Sequence, residues 1–129
     1  MPRALIVDDE EDMRALVKAA ITAANEGLLV SGEAATGAAG LALWREQRPE
    51  VIVLDQRMPD VSGLEVAEII LAEDPDQCII LFSAYLTPEM ERSALELGIR
   101  ECMAKSDWRD IPMALWRCVP GGRSGQAAG

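Results

Sequence analysis

Acidic, hydroxyl and ammonium side chains follow short apolar runs of this chain, at the point where each run ends. The residues that share this placement are Asp8, Asp9, Asp55, Ser83 and Lys105. The runs before them span residues 4–7, 51–54, 79–82 and 102–104. The carboxyl ends of parallel strands meet at one edge of a sheet, where α/β folds bind their ligands. The spacing therefore predicts that these side chains form one site.

The three acids of this set define the chemistry that the site could perform. Crowded carboxylates repel one another, so Asp8, Asp9 and Asp55 need a divalent cation or a shifted pKa. Mg²⁺ prefers a few carboxylates together with water and phosphate oxygens. Ser83 can donate a hydrogen bond to a phosphoryl oxygen, and Lys105 supplies a compact positive charge. Phosphoryl transfer depends on such positioning and neutralisation of charge. The set predicts a Mg²⁺ site at which Asp55 is the nucleophile that carries an acyl phosphate.

The acidic run continues beyond the Asp8-Asp9 pair with Glu10, Glu11 and Asp12. Acidic side chains at the start of a helix are stabilised by the helix dipole and commonly face solvent. We therefore expect these three residues to be solvated and to take no part in the site.

The elements that must position the site alternate along the chain. Strands are predicted over residues 4–7, 28–34, 51–54, 79–82 and 99–104. Helices are predicted over residues 13–24, 36–47, 64–71, 87–97 and 111–119, from their spacing and their start and stop residues. Alternating units of this length predict a doubly wound α/β fold, with a five-stranded parallel sheet and helices on both faces.

The composition fits one domain of this kind. The chain has 129 residues, half of them hydrophobic, but only three Trp, one Tyr and one Phe. The core is therefore expected to be aliphatic, as in a parallel sheet covered by helices. We predict one domain over residues 1–119, and residues 120–129 have the composition of a flexible tail or linker.

The charge and the apolar pattern exclude two classes of partner. A formal net charge of −10 repels the phosphate backbone of nucleic acids, so we expect no direct nucleic-acid binding by this domain. No stretch is long enough to span a bilayer, and the first apolar run is too short for a signal peptide. We expect a cytoplasmic protein that does not contact the membrane.

Cysteine and histidine usage argues against zinc. Cys78, Cys102 and Cys118 form no CxxC pair, and the chain has no histidine. The odd number of cysteines and their apolar neighbours predict free, buried thiols in a reducing cytoplasm.

Four motifs, taken in order, resemble the receiver domains of bacterial two-component response regulators. They are Leu5-Ile6-Val7-Asp8-Asp9-Glu10, Leu54-Asp55-Gln56-Arg57-Met58-Pro59 with Gly63, Ser83-Ala84, and Lys105. The resemblance covers residues 3–119. It implies a flavodoxin-like fold with strand order 2-1-3-4-5.

The same resemblance implies a function. Asp55 would accept a phosphoryl group from a histidine kinase or a histidine phosphotransfer protein, with Ser83 and Lys105 assisting. Asp9 and Asp55 would bind Mg²⁺ directly, together with the main-chain carbonyl of Arg57, and Asp8 would act largely through water. A receiver catalyses only its own phosphorylation and dephosphorylation, so we expect no enzyme activity on a separate substrate.

The sequence departs from the family pattern at two positions. Receivers usually carry Tyr or Phe three residues before the lysine, where rotation of the ring reports phosphorylation, and here that residue is Cys102. Lys105 is followed by Ser106 instead of the frequent proline. This variant is similar to receivers that precede a helix-turn-helix output domain, so both a lone receiver and one separated from an output domain stay open.

The sequence is compatible with three functions. The leading one is a signalling receiver controlled by phosphorylation. The alternative is a pseudo-receiver, a protein-interaction module that signals without phosphorylation, and Cys102 favours it. A Mg²⁺-dependent phosphatase would need an acid two residues after its nucleophile, where this chain has Arg57.

Two tryptophans near the last helix bear on oligomeric state. Trp108 and Trp116 are expected to pack in the core. If they were instead exposed, they would mark an interface, which leaves open an output partner or a homodimer through the last helices.

Overall fold

The computed structural model describes residues 2–24 and 27–119, so the predicted tail, residues 120–129, lies outside the described residues. Its strands are β1 (Arg3–Val7), β2 (Leu29–Ala34), β3 (Val51–Asp55), β4 (Cys78–Ser83) and β5 (Glu101–Ala104). Its helices are α1 (Glu11–Ala24), α2 (Gly37–Gln47), α3 (Gly63–Glu73), α4 (Pro88–Leu97) and α5 (Ile111–Cys118). A short 3₁₀ segment, Lys105–Asp110, links β5 to α5.

The five strands form one parallel sheet in the order β2-β1-β3-β4-β5. This confirms the predicted fold class and strand order. β1 and β3 are neighbours, and Val7 is paired with Leu54. The residues that follow this pair are Asp8 and Asp55, so the register itself brings two carboxylates side by side at the edge of the sheet.

Two apolar layers enclose the sheet. α1 and α5 pack on one face, and α2, α3 and α4 pack on the other. Every residue of β3 and β4 is buried, as expected for central strands of a sheet that is covered on both sides. Trp44 is fully buried, with its Nε1 donating a hydrogen bond to Gln77. Trp108 and Trp116 are half-buried against the layer of α1 and α5.

Element boundaries differ from the prediction by a few residues. α1 begins at Glu11 instead of residue 13, and β5 begins at Glu101 instead of residue 99. The later start of β5 follows from the end of α4, where Gly98 has a φ of 104° and Ile99 donates a backbone hydrogen bond to the carbonyl of Ala94. This bond completes a helix-ending motif and delays the strand. The 3₁₀ segment was not predicted.

The loop between β3 and α3 is fixed close to Asp55. The backbone N–H of Gly63 donates to the carbonyl of Gln56 at 2.9 Å. Ser62 and Glu65 form a capping box at the start of α3, each side chain accepting from the other residue's backbone N–H. The end of β3 is thereby joined to a well-capped helix.

Asp60 attaches the same loop to α2. Its carboxylate accepts hydrogen bonds from the backbone N–H groups of Ala38 and Gly37, both at 2.9 Å. These two bonds lower the pKa of Asp60. A negative charge at the start of a helix is also favoured by the helix dipole.

The prediction of three free thiols is wrong for two of the cysteines. The structure pairs Cys78 with Cys118 as a disulfide, with their Cα atoms 5.7 Å apart, within the usual range for such a pair. The residues are 40 positions apart and meet because the end of α5 packs against the start of β4. A long-range pair of this kind leaves no spacing signal in the sequence. Cys102 is free.

No helix among residues 2–24 and 27–119 combines the length and the apolar character needed to cross a membrane.

We predict that Gly63→Ala lowers the free energy of unfolding by about 1–3 kcal/mol. A Cβ at this position would lie 2.3 Å from the carbonyl oxygen of Asp55, a backbone atom that cannot move without the loop. Gly32→Ala is the matched control, because its Cβ would meet the flexible end of Gln47 at 3.1 Å. Urea unfolding measures both variants. Equal stability of the two would show that the loop beside Asp55 is not constrained in this way.

Candidate functional site

The edge of the sheet gathers polar side chains that are almost wholly buried. Asp8 follows β1, Asp55 ends β3, Ser83 ends β4 and Lys105 follows β5. Their exposed fractions are 2%, 3%, 3% and 7%. In the described part of the chain the fifth buried polar residue is Gln77, which lies next to β4 at the opposite edge of the sheet. Buried polar groups are thus concentrated where the sequence predicted a site.

Lys105 is the centre of this group. Its Nζ lies 2.7 Å from Oε1 of Glu10, 3.0 Å from Oδ2 of Asp8 and 3.2 Å from Oδ1 of Asp55. One ammonium group therefore contacts three carboxylates. Two of them, Asp8 and Asp55, have side chains that are only 3% exposed, so their charges have little access to water.

The charges of the site shift the pKa of both central residues. Burial, and then repulsion from Asp8, raise the pKa of Asp55 to about 7 in spite of the attraction of Lys105. Burial alone would lower the pKa of Lys105, but the hydrogen bonds to Glu10 and Asp8 outweigh it and raise that pKa. The lysine therefore stays charged. The carboxyl of Asp55 keeps its proton up to about pH 7 unless further positive charge binds beside it.

The loop after β1 shapes the acidic side of the site. Oδ1 of Asp8 accepts a hydrogen bond from the backbone N–H of Glu10 at 2.9 Å, and Arg14 donates to the carbonyl oxygen of Asp8 at 2.7 Å. Carboxylate oxygens of Asp8, Asp9 and Glu10 lie within 4.8 Å of one another. Asp9 is exposed, and its carboxyl is close enough to Asp55 to contribute to the raised pKa of that residue.

These residues fit a Mg²⁺ ion. Oδ2 of Asp55 is buried, and no described residue donates a hydrogen bond to it. A buried carboxylate oxygen without a donor, next to the oxygens of Asp8 and Asp9, is the hard ligand set that Mg²⁺ prefers. Arg57 follows Asp55 by two residues with its side chain exposed. Coordination by its main-chain carbonyl stays a prediction.

Ser83 faces its own loop in this structure. Its Oγ donates to the carbonyl oxygen of Tyr85 at 3.1 Å and accepts from the backbone N–H of Tyr85 at 3.3 Å. The side chain of Tyr85 is 72% exposed. The hydroxyl thus lies at the predicted edge of the sheet but is engaged in a turn, from which it would have to rotate to reach a phosphoryl group.

Cys102 lies half-buried in β5 beside an open cleft. Leu86, Met113 and Arg117 also line this cleft, whose volume is about 520 Å³. Burial raises the pKa of the Cys102 thiol, and the acids Glu91 and Glu101 raise it further. The cleft thus lies between the end of the sheet and α5.

Glu10 is the contact that the sequence reasoning missed. We expected Glu10 to be a solvated residue at a helix start, but its carboxylate makes the shortest of the three contacts to Lys105. α1 begins only at Glu11, so Glu10 belongs to the loop of the site. Its place directly after the Asp8-Asp9 pair was the available signal, but helix-start acids are so common that the signal is weak.

Comparison with known proteins agrees with this geometry. A family model described as the response regulator receiver domain matches residues 4–114. The chemotaxis protein CheY of Thermotoga maritima is 34% identical over 103 residues, which are 80% of this chain and 84% of that protein. The probable transcriptional regulatory protein TcrX of Mycobacterium tuberculosis is 35% identical over 94 residues, 73% of this chain but 39% of that protein.

Solved structures show the same architecture. The signal receiver domain of the response regulator NarL from Mycobacterium tuberculosis superposes with a TM-score of 0.84 and 30% sequence identity. The superposition covers 91% of this chain and 94% of that domain.

We predict that the contribution of Asp55 to the stability of the metal-free protein falls as the pH rises from about 4 to about 7. In the unfolded chain Asp55 loses its proton near the ordinary aspartate pKa of 3.8, whereas in the folded protein the pKa of Asp55 is about 7. The stability from this group is therefore fully present below pH 3.8 and is lost as the pH rises through about 7. Asp55→Asn should remove this part of the pH dependence, on the order of 1–2 kcal/mol after screening by solvent.

Urea unfolding in EDTA across this pH range makes the measurement. Asp76→Asn, at an exposed position, is the matched control and should follow the parent protein. If Asp55→Asn and the parent had parallel curves, the carboxyl would have an ordinary pKa in the folded state.

Proposed function

Because the chain belongs to the family of response regulator receiver domains, we propose that it is a signalling receiver controlled by phosphorylation of Asp55. The donor is the phosphohistidine of a histidine kinase or of a histidine phosphotransfer protein. The observation that carries the proposal is the contact of the buried Asp55 carboxylate with Lys105 at 3.2 Å. This contact places a nucleophile next to the positive charge that a phosphoryl group needs.

The residues of the site divide the work of the transfer. An oxygen of Asp55 attacks the phosphorus, the bond from phosphorus to the donor imidazole breaks, and the imidazole keeps the electron pair and takes up a proton. Lys105 donates hydrogen bonds to the phosphoryl oxygens, and Ser83 does so after its hydroxyl leaves the carbonyl of Tyr85. When bound, Mg²⁺ supplies charge neutralisation, with Asp8, Asp9, Asp55 and the carbonyl of Arg57 as its predicted ligands.

The new charge then changes the conformational equilibrium. A phosphoryl group adds roughly two negative charges to a pocket in which Lys105 already forms ion pairs with three carboxylates. Movement of Ser83 toward this group would break both of its hydrogen bonds to Tyr85 and shift the loop after β4. The modification thus favours one of two pre-existing arrangements of this loop. The half-buried Cys102 cannot follow as a ring would.

A pseudo-receiver is the second candidate, and one observation favours it. Cys102, beside an open cleft, lacks the size and the hydroxyl of the aromatic residue that usually reports phosphorylation. Such a module would keep the fold and bind a partner without being phosphorylated. Receiver domains are generally not enzymes, and Arg57 stands where a phosphatase of the aspartyl type would need an acid. We therefore propose no turnover of a separate substrate.

The partners follow from the same proposal. The output is either a separate protein or a further domain, and the match covers only 39% of the length of TcrX, a probable transcriptional regulatory protein. A homodimer would form through the last helices, and Leu95 of α4 and Met113 of α5 are both 66% exposed. The net charge of −10 disfavours binding of nucleic acid. We propose that the protein acts in the cytoplasm, where ATP is available to the kinases.

Residues 1–119 form the proposed receiver, and residues 120–129 its tail or linker.

We predict one phosphoryl adduct when the protein is incubated with acetyl phosphate and Mg²⁺. Intact mass spectrometry should show this adduct in the parent protein, and none in EDTA or in Asp55→Asn and Asp55→Ala, because the nucleophile or the neutralising cation is then missing. Asp76→Asn is the matched control and should be modified like the parent. An unmodified parent protein, under conditions that modify an authentic receiver, would contradict the proposal and favour the pseudo-receiver.

A further inference from the structure

Carboxylates surround the ammonium group of Lys105, and its Nζ donates a hydrogen bond to Oε1 of Glu10. A lysine carries three N–H donors, and three carboxylate oxygens lie around Nζ, at 2.7, 3.0 and 3.2 Å. They belong to Glu10, Asp8 and Asp55. A phosphoryl oxygen that approaches Lys105 therefore competes with these partners.

The burial of the three partners decides which one leaves. The side chains of Asp8 and Asp55 are 3% exposed, so a lost contact with Lys105 would leave a buried charge without a partner. The side chain of Glu10 is 59% exposed. The carboxylate of Glu10 can rotate into the solvent at little cost in free energy, although it makes the shortest of the three contacts.

We propose that Glu10 is a positioning residue that occupies the phosphoryl-binding donor of Lys105 in the unphosphorylated protein. Glu10 orients the ammonium group and competes with the phosphoryl group for it. The competition lowers the rate of phosphorylation and the occupancy of the phosphorylated state. This inference rests on the proposed function, since it assigns a regulator to the same site.

The position of Glu10 supports a specific contact over a diffuse effect of charge. Its backbone N–H donates to Oδ1 of Asp8 at 2.9 Å, which fixes the loop from which its side chain reaches Lys105. Glu11, the next residue, carries the same charge but begins α1 and is exposed. Among the described residues it has no ion pair with Lys105. The chain therefore contains a matched control for the loss of one negative charge.

Three variants separate contact from charge. Glu10→Gln removes the charge and weakens the contact. Glu10→Asp keeps the charge but shortens the side chain by one methylene group, so that it no longer reaches Nζ. Glu11→Gln removes a charge one residue away and leaves the contact intact. For each variant the experiment measures the initial rate of adduct formation from acetyl phosphate with Mg²⁺, and the affinity for beryllofluoride, a phosphoryl mimic, by titration calorimetry.

We expect Glu10→Gln and Glu10→Asp both to raise the rate and the affinity by about two- to fivefold, the range of a partly exposed ion pair, with Glu11→Gln close to the parent protein. A second readout requires no phosphoryl chemistry. The NMR resonance of the Lys105 side-chain Nζ, recorded without Mg²⁺ and phosphoryl donor, should move in both Glu10 variants and stay in place in Glu11→Gln.

The opposing results are distinct. Glu10→Asp with the properties of the parent, or Glu11→Gln with the properties of Glu10→Gln, would reduce the effect to charge and overturn the inference. A Lys105 resonance that stays in place in the Glu10 variants would overturn it as well. If the parent bound neither phosphoryl group nor beryllofluoride, the proposed function would fail and this inference with it. A parent that is modified at the same rate as both Glu10 variants would refute the inference alone.

Discussion

The ammonium group of Lys105 lies between carboxylates that would otherwise repel one another at the edge of the sheet. Asp8 and Asp55 lie side by side because β1 and β3 are neighbours in the sheet. Each acid directly follows one residue of the last β1–β3 pair, Val7 and Leu54. Lys105 reaches both from the end of β5. It compensates them incompletely, because burial and then repulsion from Asp8 still raise the pKa of Asp55 to about 7. The remaining excess of negative charge is what makes the pocket suitable for a divalent cation.

The rest of the fold holds this unfavourable arrangement in place. Central strands buried at every residue provide a rigid base, and close contact of Gly63 with the carbonyl of Asp55 leaves the loop little room to relax. The fold can therefore keep these carboxylates closer together than their mutual repulsion would allow in a flexible chain in water. Binding of a cation or transfer of a phosphoryl group then changes the balance of charge without first having to build the site, which is the general advantage of a preorganised polar site.

Much of this could be predicted from the sequence, and the exceptions have physical reasons. Alternation of strands and helices predicted the fold class, and the family resemblance implied the strand order. The placement of polar residues at strand ends predicted where buried polar groups gather. Side-chain contacts were harder to predict, because they depend on rotamers and loop conformations that the spacing of residues does not determine. Glu10 was expected in solvent but contacts Lys105, and Ser83 was placed correctly but hydrogen-bonds within its own loop. The pair of Cys78 and Cys118 could not be predicted, since it depends on how α5 ends against β4.

The stability of Lys105→Met measures how far Lys105 compensates the buried acids. We predict that this variant loses about 3 kcal/mol of the free energy of unfolding in EDTA, because two buried carboxylates lose their cation, and that excess Mg²⁺ restores part of the loss. Lys18→Met, which breaks the half-exposed pair with Glu33, is the matched control and should cost less than about 1 kcal/mol. If Lys105→Met were as stable in EDTA as this control, with no larger response to Mg²⁺ than the parent protein, Lys105 would not compensate the buried acids.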